Sequence, residues 1–167
     1  MTDKRTLKTI AAIDRAGYAM LAQGGFAQLS VQAWCVAAHI TRPTFYSYYL
    51  DKNDWLERQI DGAMRLLVPA LTGTRAELVA RLTTAAWPLR APLVALLAIH
   101  EADLDLQAAL AAQLRQTLAA GSAVSEYRIS AAAASIVHGL HWTLTHGQDT
   151  DSLQWQQWLV DELTEDN

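Results

Sequence analysis

One short run, TRPTFYSYYLDKNDW from Thr41 to Trp55, gathers a guanidinium, three phenols, three aliphatic hydroxyls and an ammonium. Groups of these types suit the reading of a DNA major groove. A guanidinium can bond guanine through two parallel N–H donors, apolar groups can touch a thymine methyl, and hydroxyls reach base edges or phosphates. Arg42 is the candidate for guanine, and Pro43 and the Thr44 methyl are the candidates for thymine. Thr41, Thr44, Tyr46, Ser47 and Tyr48 supply the hydroxyls. Lys52, opening the next helix, is placed for a phosphate beside that helix's positive end. Phe45 and Tyr49 stand four residues apart and read as core.

These side chains need short helices to hold them. Leu7, Ile10, Ile13, Gly17, Tyr18 and Leu21 recur at intervals that predict one apolar helix face over residues 6–23, stopped by Gly24 and Gly25. Ser30 is placed to cap a second helix over 31–37, with Trp34, Cys35 and Ala38 inward. A tight turn, AHIT, then leads to Thr41 as the N-cap of a third helix, whose early Pro43 lacks only an N–H that would have had no intrahelical partner. A fourth helix is predicted from 51–53 to Leu67. Two short helices joined by such a turn make a helix-turn-helix, in which the second helix enters the groove.

The run GGFAQLSVQAWCVAAHITRPTFYSYYLDKNDWLE resembles the DNA-binding signature of the TetR family in the order and spacing of its parts, over roughly residues 6–58. The resemblance makes Gln32, Arg42, Pro43, Thr44 and Tyr46 base-region residues, with Ser30, Tyr48 and Lys52 at phosphates. Two departures stand out. His39 occupies a turn position where the family usually has glycine, and Trp34 replaces a smaller aliphatic residue. His tolerates a left-handed conformation better than most residues. Trp34 requires a small neighbour, for which Ala37, Ala38 and Gly17 are the candidates.

Half of the 167 residues are apolar, led by Leu and Ala, and alternating β-type runs are scarce. The fold class expected is all-α, with about nine helices: a helix-turn-helix domain at 1–50 and a helical effector-binding and dimerisation domain at 51–167. Helices are predicted near 75–86, 91–101, 104–119, 126–146 and 152–164. Net charge is −4, yet residues 1–60 carry 7 basic and 5 acidic groups, hence +2, leaving −6 for the rest. A polyanion would therefore meet the N-terminal part. No apolar run approaches the roughly 20 residues that span a bilayer, and MTDKRTLKTI places charge where a signal peptide carries its apolar region. A cytoplasmic protein without a membrane partner is expected.

The single cysteine, Cys35, reads as a buried hydrophobe. His138 and His141, three apart, read as polar packing, with His100, Glu101 and His146 distant in sequence. A phosphate loop, a nucleophile elbow and an HExxH motif are all missing, so no catalytic residue, metal or cofactor is assigned.

The resemblance further implies a dimer formed through the last two long helices, and a small effector. Ile136, Leu140, Leu144, Trp155, Trp158 and Leu159 are the expected interface, with Trp142 as a further aromatic anchor. Met64, Leu67, Trp87, Leu97, His100, Leu104 and Trp142 are the expected lining of an apolar effector pocket. The function so implied is a homodimeric transcription regulator, a repressor of a palindromic double-stranded DNA operator released by a small molecule. The alternative is a protein of the same fold that has become a protein-binding co-regulator or ligand-binding module with little DNA affinity.

Overall fold

The computed structural model describes residues 4–120 and 122–165. Among them the structure is helical, without strands, with nine α-helices and three short 3-10 turns. The helices are α1 (Lys4–Gly24), α2 (Val31–Ala37), α3 (Arg42–Tyr46), α4 (Lys52–Leu67), α5 (Leu78–Ala86), α6 (Arg90–Leu97), α7 (Leu106–Ala119), α8 (Glu126–His146) and α9 (Thr150–Thr164). The chain divides into two compact units, Met1–Gln59 and Ile60–Asn167. That division falls inside α4, later than the expected 50/51 boundary. The reason is local: Trp55 and Gln59, both on α4, bond to Asp14 of α1.

Caps end the short helices where the sequence places them. Ser30 Oγ accepts from the Ala33 amide and Thr41 Oγ1 from the Thr44 amide, at 3.2 and 3.3 Å, while Pro43 occupies the first turn of α3. The turn between α2 and α3 has His39 at φ 55°, in the left-handed region. The core of the first unit is aromatic. Trp34, Phe45 and Trp55 are fully buried, and Trp34 leans on Trp55 at 4.7 Å and on Phe45 at 5.5 Å. The Trp34 indole N–H donates to the Ile13 carbonyl at 2.8 Å. Of the three candidates, Gly17 is the small residue that admits this ring, since a methyl there would overlap Trp34. Leu7, expected on the inward face of α1, is exposed.

In the second unit α8 is the central element and packs against α5, α6, α7 and α9. Its runs of alanine permit close approach, and Ala132, Ala133, Ile136, Val137, Leu140 and Leu144 are all buried. Leucines at spacing four on α7, Leu106, Leu110, Leu114 and Leu118, complete that core. Arg75 ties two helix ends together by donating to the carbonyls of Leu118 and Thr164.

Candidate nucleic-acid interface

The α2–turn–α3 segment separates its side chains by face. Phe45 and Tyr49 are buried, as their spacing requires, and the Tyr49 hydroxyl donates to Asp14 at 3.2 Å. Arg42, Pro43, Tyr46 and Ser47 are exposed, and Thr44 and Tyr48 are half-buried. Tyr46 keeps 52% of its surface while its ring meets the edge of Phe45 at 5.7 Å. Gln32 and Ser30 on the α2 side are exposed as well. Of the sequence-derived set, Ser30, Gln32, Thr41, Arg42, Pro43, Tyr46 and Ser47 are exposed, and Thr44, Tyr48 and Lys52 are half-buried.

Hydrogen bonding narrows what that surface can offer. Thr41 and Thr44 bond through their hydroxyls at 2.8 Å, and Ser47 Oγ donates to the Pro43 carbonyl at 2.8 Å. These contacts fix rotamers and engage the Ser47 proton and one of the two threonine protons, which leaves Arg42, the Pro43 ring, the Thr44 methyl and the Tyr46 phenol as the groups of α3 least tied to its own backbone. Each of these reaches outward from a backbone braced by buried aromatics, which is the rigidity a reading surface requires.

Lys52 departs from expectation. Its ammonium donates to the carbonyls of Phe26 and Ala27, both at 3.2 Å, and lies 4.8 Å from the Phe26 ring centroid. The Phe26 carbonyl also accepts from the Leu29 amide at 3.1 Å, and a cation over an aromatic face gains further attraction. Lys52 therefore braces the segment between α1 and α2 against α4, with two carbonyls already on its ammonium. Charge at the start of α4 is otherwise balanced by Asp54, which holds Arg58 at 2.9 Å and accepts from the Leu50 amide. Those bonds pull the Asp54 carboxyl below its ordinary range, with Arg58 the largest cause.

Sequence reasoning missed Asp14. Its Oδ1 accepts from Trp55 Nε1 at 2.8 Å, from the Tyr49 hydroxyl at 3.2 Å and from Gln59 Nε2 at 3.4 Å. Tyr18 in turn donates to Gln59 Oε1 at 3.0 Å, which orients the amide. The one signal for it is positional: Asp14 lies four residues from both Ile10 and Tyr18, on the apolar face of α1.

In the second unit the expected dimer face requires correction. Ile136, Leu140 and Leu144 are buried within the unit's own core, at 2, 2 and 5% exposure, and have no surface left for a partner. The outward aromatic groups are Trp142, Trp155 and Trp158, with Leu159 half-buried beside them. Trp155 and Trp158 stack at 4.7 Å, and Trp142 stacks on His146 at 3.6 Å. Between α8 and α9 lies an open groove of about 470 Å³, whose lining includes His138, Trp142, Trp155, Gln156 and Leu159.

The residues expected to line an effector pocket differ in exposure. Leu67 and Leu97 are fully buried core, while Met64, Trp87 and Leu104 are half-buried. His100 is exposed and bonds Asp105 at 2.7 Å, next to the Asp105 cap of α7. Trp142 lines the α8–α9 groove instead. His141 on α8 has its pKa lowered by burial and then by the charges of His138, His100 and His146. Among the described residues no cluster of three His, Cys, Asp or Glu side chains could hold a metal, and no helix is long and apolar enough to cross a membrane.

Compared with known proteins, the chain matches no family model and no curated sequence.

Proposed function

We propose that the chain is a TetR-like, homodimeric DNA-binding transcription regulator, whose α2–turn–α3 segment enters the major groove of a palindromic operator. The observation that carries the reading is the division of α3 into two faces. Phe45 and Tyr49 anchor it inward, and Arg42, Pro43, Thr44 and Tyr46 stand outward from its first turns. In a helix-turn-helix the N-terminal residues of the second helix meet the base edges. Arg42 then reads guanine, and the Pro43 ring with the Thr44 methyl reads a neighbouring thymine. Gln32 and Ser30 approach from α2, and Tyr48 lies toward the backbone.

One α3 of five residues reads too few bases for specificity, so two subunits set about 34–36 Å apart, or multiples of that, are required. The α8–α9 face supplies the contact, through Trp142, Trp155 and Trp158 in place of the buried Ile136, Leu140 and Leu144. Repression, and release by a small apolar effector, follow from the resemblance in the N-terminal sequence. Binding of such an effector in the second unit would change the spacing of the two reading helices.

The engagement of Lys52 with carbonyls thins the basic surface, which favours the second reading: a co-regulator or ligand-binding module of the same fold with little DNA affinity. A titration of genomic fragments at two salt concentrations separates the two. The regulator binds a subset of fragments with an affinity that falls as salt rises. Arg42→Ala then costs about 1–3 kcal/mol on those fragments, roughly a five- to 150-fold loss. Absence of salt-sensitive binding to every fragment rejects the regulator.

A further inference from the structure

Asp14 belongs to none of the outward chemistry, yet three side chains from two other stretches of the chain converge on one of its oxygens. All three donors are neutral: a phenol, an indole N–H and a carboxamide. The carboxylate is half-buried beneath them. Structural carboxylates held away from water are ordinarily matched by a cation, because neutral donors offset only part of the lost hydration. Here the nearby ionisable groups are Tyr18 on α1, Tyr49 after α3, and the Asp54–Arg58 pair on α4. Arg58 lies over the Tyr49 ring at 5.2 Å but spends its guanidinium on Asp54.

We propose that Asp14 is a proton-responsive positioning residue, which pins Tyr49 and α4 to α1 through Oδ1 and holds them with a strength that depends on pH. Its bearing on DNA rests on the function proposed above; the proton linkage does not. Protonation at Oδ2 leaves Oδ1 able to accept the same three bonds, so the contacts persist while the cost of the half-buried charge beneath them is removed. Desolvation is the largest influence and raises the Asp14 pKa, against the opposing bonds from Trp55 and Tyr49. The folded unit therefore binds a proton more tightly than the unfolded chain. Its stabilising effect is full below the unfolded carboxylate range and is lost as pH rises through the higher folded value.

Tyr49 sits at the end of the segment that presents Arg42 and Tyr46. A change in the charge of Asp14 thus acts on the one phenol that ties that segment to α1.

The test uses the full chain and its Asp14→Asn, Asp14→Ala and Tyr49→Phe variants. The Asp14 carboxyl is titrated by carbon-13 NMR, and urea unfolding is followed across mildly acidic to mildly basic pH. Asp14 is expected to titrate above the ordinary carboxylate range. Tyr49→Phe, which keeps the ring against Phe45 but removes one donor, is expected to move that titration further up, because the lost bond favoured the charged carboxylate. Asp14→Asn keeps an oxygen for the donors, and its stability gain over the native chain is expected to widen as pH rises. Asp14→Ala is expected to lose stability at every pH. Titration at or below the ordinary value, or a gap between the Asn variant and the native chain that does not change with pH, overturns the proposal. Both measurements need no DNA, so a failure here is distinct from a failure of the regulator reading. In a final arm, fragments bound by the native chain are titrated with Asp14→Asn across the same pH range. A flatter pH profile than the native one supports the link to DNA, and an identical profile removes that link.

Discussion

Gly17→Ala probes the tightest point of the N-terminal unit. On an exposed helix this exchange stabilises by up to about 1 kcal/mol, because alanine is the better helix former. Here the new methyl would overlap Trp34 Cζ2 and stand 2.9 Å from Trp55 Cζ2. Neither ring can swing aside. The indoles lean on each other at 4.7 Å and 80°, both fully buried, and Trp34 is tied by its N–H to the Ile13 carbonyl. Overpacking of this kind costs about 1–3 kcal/mol. Loss of the buried indole bond adds about 1–3 kcal/mol when the carbonyl is left without a partner. Against the helix gain, the net expectation is a loss of about 2–4 kcal/mol, or roughly 5–15 °C in melting temperature for a chain of this size. Thermal and urea unfolding followed by far-ultraviolet circular dichroism measure it. Trp34→Phe removes the ring atoms that collide, so the same Gly17→Ala exchange in that background should cost at least about 1 kcal/mol less. A Gly17→Ala protein as stable as the native one, or an equal loss in both backgrounds, refutes the packing argument.

Three further outcomes are expected. His39→Gly should stabilise by about 0.5–1 kcal/mol in urea unfolding, because His39 holds φ 55° and glycine adopts that region without the side-chain penalty; a loss of stability would show that the imidazole contributes more than the strain costs. Lys52→Met should destabilise by about 1–2 kcal/mol through the carbonyls of Phe26 and Ala27, while the salt dependence of binding to any bound duplex stays unchanged; a shallower salt slope would return Lys52 to a phosphate. Trp155→Ala and Trp158→Ala should leave helicity intact, since these rings are 62% and 50% exposed, but weaken self-association by about 2 kcal/mol or more each. Sedimentation velocity over a concentration series reads that change, and unaltered association would remove this face from the dimer.

How much of the fold and of the reading surface is legible in the amino-acid sequence depends on how local the determining contacts are. The caps Ser30 and Thr41, the early Pro43 and the inward pair Phe45 and Tyr49 act within one helical turn, and the structure places each as expected. Trp34 is legible as a demand for space, but three small residues answer it equally well in sequence; Gly17 is distinguished only by lying across from it on α1. Lys52 is not legible in this way, because its partners are carbonyls 25 and 26 residues away. A backbone carbonyl leaves no mark in a sequence.

The expected α8 interface fails for a different reason, and that reason bears on what the second unit can do. Ile136, Leu140 and Leu144 form a regular apolar line, yet α8 also carries alanines, glycine and tryptophan around the rest of its circumference. A helix apolar on most sides has no intrinsic inward direction; its orientation is fixed by the neighbours that bury it. Four helices pack on α8 and take the aliphatic line, which leaves its Trp142 edge, with Trp155 and Trp158 of α9, to the outside. Large aromatic rings, stacked in pairs and left in water, are costly to retain unless something covers them. Two sets of outward groups among the described residues thus differ in kind. Around α3 they are polar groups braced by a buried aromatic core, suited to reading an exposed edge. Along α8 and α9 they are apolar groups beside a groove, suited to being covered. The regulator proposed above would need both surfaces, and the proposed proton response of Asp14 would act inside the unit that carries the first.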